Sequence, residues 1–212
     1  MLRGVTLDPL QSDRFVWRWS ADGTYSASSA YRAFFVGSSA LLGARELWKA
    51  RAPPRIQFFA WLALHNRLWT ADRRRRHGLQ TSDTCALCDQ APETAQHLLL
   101  GCVTTRSLWA AMLHPLGLQS CIPELSESVA AWWLRQHAGL DSSARPMFDS
   151  IFLLLSWIVW KERNEITFGR GLPRSTTQLF MAVAVEAEDW VSAGYQTLAV
   201  PSALWSLQNA VL

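Results

Sequence analysis

The chain has 212 residues, half of them hydrophobic and 17% charged, with a formal net charge of +3. That length can bury one sizeable core or two small ones, and the composition excludes a chain that is mainly disordered tail. The longest apolar run, residues 151–160, is broken by Ser156 and is about half of what a membrane span needs, so no membrane partner is expected.

Residues 1–12 read as a lead-in without the apolar stretch of a secretion signal, so the expected location is intracellular, in the nucleus or cytoplasm, and not secreted. From Arg14 the aromatics Phe15, Trp17 and Trp19 alternate with Val16 and Arg18, a period of two that predicts a strand. Ala21-Asp22-Gly23-Thr24 reads as a turn and Tyr25 as the start of a return strand, which together predict a β-hairpin. Ser26 or Ser28 can cap a helix carrying Ala30, Tyr31, Phe34 and Phe35, and residues 37–43 form a small-residue linker.

Residues 44–50 predict a short helix that Pro53-Pro54 interrupts, and Pro54 suits the first turn of the next, which runs to about Leu68. In that helix Ile56, Phe59, Ala60, Ala63 and Leu64 follow the 3.6 period, with Phe58, Trp61 and Leu62 widening the apolar stripe. Thr70 is a candidate cap for a basic helix over residues 71–77, ended by Gly78. Further helices are predicted over residues 106–113, 123–137 and 147–164, the last apolar nearly all round and so placed in mid-core. Ser175-Thr176-Thr177-Gln178 has capping-box spacing and opens a helix stopping at Gly194, while the tail from Pro201 is expected to fray.

The most specific pattern is Cys85-x2-Cys88-x8-His97-x4-Cys102, which gathers three of four cysteines and one of five histidines into eighteen residues. Thiolate and imidazole are the ligands Zn²⁺ prefers, and four of them close a tetrahedral shell. A disulfide framework would leave an odd cysteine beside Cys121. A redox C-x-x-C would want a strand before it and a helix after it, where here loop lies on both sides. The reading is therefore one structural Zn²⁺ held by Cys85, Cys88, His97 and Cys102.

Just before this motif, between Arg45 and His77, nine bases face two acids, a local balance of +7 against −4 for the rest of the chain. Such a block suggests a polyanionic partner. The candidate nucleic-acid contacts are Arg67, Trp69, Arg73, Arg74, Arg75 and Arg76, with Trp69 placed to stack on an unpaired base. The expected fold is mainly α, a helical domain with an N-terminal β-hairpin and a Cys-Cys-His-Cys zinc knuckle. Its expected parts are 1–43 (hairpin and helix), 44–116 (basic helices and the knuckle at 85–102) and 117–212 (a helical region packed with the preceding part).

Several of these pieces in order resemble the zinc-binding region of reverse transcriptases from plant LINE-type, non-LTR retrotransposons. The matching residues run from Trp17-Arg18-Trp19, Gly23-Thr24-Tyr25-Ser26 and Ser29-Ala30-Tyr31 through Leu47-Trp48-Lys49, Pro53, Phe59-Ala60-Trp61 and Thr70. They continue through Cys85, Cys88, Glu93, His97-Leu98, Cys102 and Trp109 to Trp157, Trp160-Lys161-Glu162-Arg163-Asn164 and Phe168. The resemblance implies a region that follows a polymerase domain in its parent protein and binds nucleic acid, RNA or another single strand. Trp69, where a smaller residue is usual, and the density of Arg73–Arg76 depart from the pattern.

No catalysis is expected. The chain has no Asp-Asp pair for two-metal chemistry, no phosphate-binding glycine loop and no nucleophile elbow, and a closed Cys3His shell leaves no position for a reactive water. No small-molecule substrate is expected either. The alternative to nucleic-acid binding is a zinc-stapled structural or protein-interaction domain, to which the abundant tryptophans could contribute a surface.

Overall fold

A computed structural model describes residues 15–34, 43–124 and 127–209, with side chains to Ser206. The contacts divide the chain into two units, and the described residues 15–34 fall in the first and 43–209 in the second. Each unit is taken by itself.

The first unit corrects one expectation: among the described residues there is no β-strand, and the predicted hairpin is absent. Trp17 N does donate to Gly23 O at 2.8 Å, and Gly23 takes the expected left-handed φ of +71°. Everything between is turn. Ser20 Oγ donates to Thr24 O at 2.8 Å, and the Asp22 carboxylate accepts from both the Thr24 amide (3.1 Å) and its hydroxyl (2.5 Å). The Thr24 hydroxyl bond, aided by the amide, holds the Asp22 carboxyl down at about 2. Short polar side chains thus satisfy the backbone that a ladder would have used. Phe15, Val16, Trp19 and Tyr25 are exposed, so the alternating pattern buries no face, and Trp17 meets Tyr25 edge-on at 5.2 Å. Helix α1 (Ala27–Ala33) follows, capped by a reciprocal Ser26–Ser29 box, with no buried residue. The predicted positions of Phe35 and the 37–43 linker fall largely outside the described residues, as does the 1–12 lead-in.

The second unit is helical. Helix α2 (Ala44–Lys49) leads to α3 (Pro54–Leu64), with Pro54 in its first turn as expected. Helix α4 (Ala71–Arg76) carries the arginine run. A π-helical turn (His97–Gly101) then feeds α5 (Val103–Leu113). Helices α6 (Val129–Gly139), α7 (Ala144–Thr167), α8 (Thr176–Ser192) and α9 (Ala199–Asn209) complete it. The single bridged pair among the described residues joins Thr84 to Pro92 across the knuckle.

Helix α7 is the central element, buried almost continuously from Phe148 to Val159, and it packs against α3, α6, α8 and the π-turn. Phe58, expected in the stripe of α3, is 55% exposed; its neighbour positions Phe59 and Ala60 are the ones that turn inward. Trp132 sits at the middle of an aromatic cluster, with ring centroids 5.1 Å from Trp109, 5.7 Å from Phe148 and 5.9 Å from Phe152. Fully buried tryptophans of this kind each remove about 150–250 Å² from water.

The expected C-terminal fraying is also corrected. Residues 199–209 form α9, which lies on α8, and Trp205 is fully buried. Its indole Nε1–H donates to Met112 O at 3.1 Å near the end of α5, satisfying the one polar atom of an otherwise apolar side chain.

Candidate metal centre and the adjoining basic surface

The knuckle is shaped by local backbone bonds. Cys85 N donates to Ala91 O (2.8 Å) and Asp89 N to Cys85 O (2.9 Å), with Asp89 itself left-handed at φ +54°, so the chain folds back tightly around residues 85–89. On the other side Cys102 N donates to His97 O at 2.6 Å, closing the π-turn, and His97 N is held by Thr94 Oγ1 at 3.0 Å. A π-turn leaves carbonyls that a regular helix would satisfy. Here Thr105 Oγ1 reaches Leu98 O (2.8 Å) and Trp109 Nε1 reaches Leu99 O (2.9 Å). Thr104 Oγ1 donates to Leu87 O at 3.2 Å, tying the start of α5 to the first loop.

These two halves bring Cys85, Cys88, His97 and Cys102 together, with all four ligand atoms within 4.8 Å of one another. Cys85 Sγ lies 4.0 Å from Cys102 Sγ, and Cys88 Sγ 3.3 Å from His97 Nε2. With Zn–S near 2.3 Å and Zn–N near 2.0–2.1 Å, a tetrahedral site requires about 3.8 Å between sulfurs and about 3.6 Å between sulfur and nitrogen. The donor set therefore fits one Zn²⁺. Cys85 and Cys102 are buried, and Cys88 and His97 half-buried. In the metal-free thiol pair Cys102 is held low by the hydrogen bond from Cys85 and by the Thr105 and Thr104 amides, while that same bond and burial push Cys85 up. One member of the pair is thus already disposed to be thiolate, the form that binds metal.

Between the ligands lies one residue that the family resemblance includes but that is not expected to bind metal or nucleic acid. Glu93 is fully buried, and its Oε1 accepts from Ala71 N at 2.7 Å and from Arg163 Nε at 2.8 Å, with Arg163 Nη2 2.6 Å away. Its Oε2 accepts from Ala86 N at 3.4 Å, inside the Cys85–Cys88 loop. Its own amide donates to Asp83 O (2.6 Å) and its carbonyl accepts from Asp72 N (3.2 Å). One carboxylate therefore joins the start of α4, the metal loop and the far end of α7. Arg163 is 1% exposed and also donates to Asn164 Oδ1. Thr70 occupies the cap position of α4 as expected, but its hydroxyl turns to Asp72 (2.6 Å), and Glu93 caps the helix instead. The available signals were a buried-type apolar helix that ends in charged residues and the place of Glu93 among the residues that carry the family resemblance.

The arginine run is largely engaged within the unit. Arg75 pairs with Asp83 (2.6 Å) and Arg76 with Asp72 (2.8 Å). Arg74 lies over the Phe168 ring at 5.1 Å, which Arg170 also approaches at 5.3 Å. Arg73 donates to Asn66 O (3.0 Å) and stands over the Trp69 ring at 5.3 Å, with His77 at 5.2 Å from the same ring. Trp69 remains 48% exposed. Arg67 is exposed and its side chain makes no hydrogen bond or ion pair among the described residues. Among the described residues no helix is long and apolar enough to cross a membrane.

Comparison with known proteins agrees with the metal site. The chain is 30% identical over 177 residues to a protein of Arabidopsis thaliana named as a candidate ribonuclease H protein, an alignment covering 80% of this chain. The aligned stretch spans 28% of that protein's length. No solved structure matches the chain. Residues 25–109 match the family described as zinc-binding in reverse transcriptase, a stretch that takes in all four ligands. With that match and the ligand geometry together, residues 25–109 are a zinc-binding region of the reverse-transcriptase type, and Cys85, Cys88, His97 and Cys102 hold its one structural zinc.

Proposed function

We propose that this chain is a non-catalytic module derived from a retrotransposon reverse transcriptase of the LINE type, which binds RNA or another single-stranded nucleic acid. The observation that carries the proposal is Trp69, half-exposed beside α4 with Arg73 over its ring and His77 at its edge. A base stacked on such a platform contributes about 1–3 kcal/mol, and Arg67, without a hydrogen bond or ion pair among the described residues, supplies a phosphate contact. Arg74, Arg75 and Arg76 contribute positive field from their internally paired positions. The relative that contains a similar segment is named as a candidate ribonuclease H protein, which supports the reading. Buried unpaired thiols and a thiolate metal site suit a reducing compartment, hence the nucleus or cytoplasm.

The test is titration of zinc-loaded protein with single-stranded RNA at rising salt. Trp69→Ala is expected to weaken binding by about 1–3 kcal/mol, and Arg67→Gln to lower the salt slope by about 0.7. Absence of binding at low salt, or binding indifferent to both substitutions, rejects the proposal.

A second reading rests on a different surface. Phe58 stacks on Trp61 with centroids 6.0 Å apart and planes 11° from parallel, and Trp48 is 49% exposed. Such aromatics suit a protein contact, with the parent polymerase domain as the partner. Association with that polymerase, lost in Phe58→Ala while RNA affinity stays negligible, would favour this reading over the first.

A further inference from the structure

A second group of cations, made by residues other than those around Trp69, lines a cavity of about 310 Å³ between the ends of α2, α6 and α7. That volume is at the small end of ligand pockets, which run from about 300 Å³. Arg45 and Lys49 lie four residues apart on α2 and so share one helical face. Arg51 follows two residues later, where the backbone is pinned: Gln57 Nε2 donates to Ala50 O (2.8 Å) and Ser150 Oγ to Arg51 O (2.9 Å). The side chains of Arg45, Lys49 and Arg51 make no hydrogen bond or ion pair among the described residues.

The opposite wall is held more tightly. Arg145, in the first turn of α7, donates through Nε to His137 O (2.7 Å) and through Nη2 to Leu140 O (2.6 Å), closing the carbonyl end of α6. His137 Nδ1 lies 2.9 Å from Asp149 Oδ2, and Trp133 Nε1 donates to Asp149 Oδ1 at 3.0 Å. The carboxylate is thus already matched by its own donors. Glu46 is the other acid on the lining, so four permanent cations face two carboxylates. A concave site of one predominant sign concentrates the field within it.

We propose that this cavity is a phosphate-binding site, with Lys49 and Arg51 as the principal contacts and Arg45 and Arg145 as flanking charge. Cations converging from two walls match the tetrahedrally disposed oxygens of phosphate better than the two coplanar oxygens of a carboxylate, and the guanidinium fork binds two phosphate oxygens at once. The phosphate comes either from a nucleic-acid backbone or from a free phosphate compound. The site does not depend on stacking at Trp69.

The test uses the zinc-loaded full chain and follows the His137 ring signals by NMR while inorganic phosphate, and separately a short single-stranded RNA, is added. Phosphate is expected to shift His137 saturably, and Lys49→Gln with Arg51→Gln to weaken that saturation by about tenfold or more. Both substituted side chains are exposed, so an unchanged melting temperature shows that the variant is folded. If RNA produces the same shift and competes with phosphate, the source is a nucleic-acid backbone; if phosphate alone produces it, the source is a free phosphate compound. Either outcome upholds the site. No shift with either ligand, or saturation unchanged in the double variant, overturns it. Trp69→Ala, which leaves the cavity intact, separates loss of RNA stacking from loss of the phosphate site.

Discussion

The metal loop and the N-terminal segment are both short, both rich in turns and both poor in regular structure, yet they are organised in opposite ways. In residues 83–105 local bonds shape the loop, but several others leave it: Asp83 accepts from Arg75, and Glu93 alone joins α4, the Cys85–Cys88 loop and α7. In residues 15–34 the bonds of Trp17, Ser20, Asp22, Thr24 and Ser26 run between residues two to six apart, and no side chain of α1 is buried. An irregular stretch is held in place by bonds that leave it. Local turns give a segment its shape through neighbours in sequence.

This contrast can be broken from the metal side first. Structural zinc supplies about 10–16 kcal/mol in small sites, comparable to or larger than the roughly 5–15 kcal/mol stability of a whole domain. Cys85→Ser is therefore expected to lose the single zinc, read by metal analysis, and with it the cooperative unfolding transition of the second unit. The buried ion pair comes next. Glu93→Gln leaves Arg163 charged and uncompensated at 1% exposure, and is expected to cost about 3–5 kcal/mol in a urea titration. Adding Arg163→Met should recover more than half of that loss, because the remaining cost is then only an imperfect cap on α4.

Trp205→Ala sharpens where the anchored unit ends. The side chain is fully buried and bonded to Met112 O, so its removal should cost about 3–5 kcal/mol in the same titration. A cost below about 1 kcal/mol would return α9 to the status of a frayed tail. At the other extreme Trp19→Ala and Tyr25→Ala, at exposed positions of the first unit, should each change stability by about 0.5 kcal/mol or less.

What could be seen in the sequence follows the same division. The ligand spacing was legible because metal chemistry needs few residue types at restricted separations. Helices α3, α7 and α8 were legible from periodicity and caps; the Ser175–Gln178 box is present as expected. The hairpin was misread because alternation of aromatics is evidence for a strand only when a face is buried. Ser20, Asp22 and Thr24 offered the backbone local partners instead. The Glu93–Arg163 pair, seventy residues apart, leaves no periodic trace, since only the folded chain shows that these two charges meet. Likewise the density of Arg73–Arg76 did not reveal which of them are engaged by Asp72, Asp83, Asn66 and Phe168.

The central claim is that zinc and Glu93 together hold an otherwise irregular loop as part of the helical unit. Amide hydrogen exchange, compared between zinc-loaded and chelated protein, tests it most directly. Removal of zinc should abolish protection across residues 83–113 and leave exchange in residues 15–34 unchanged. Protection of residues 83–113 that survives chelation would contradict the account.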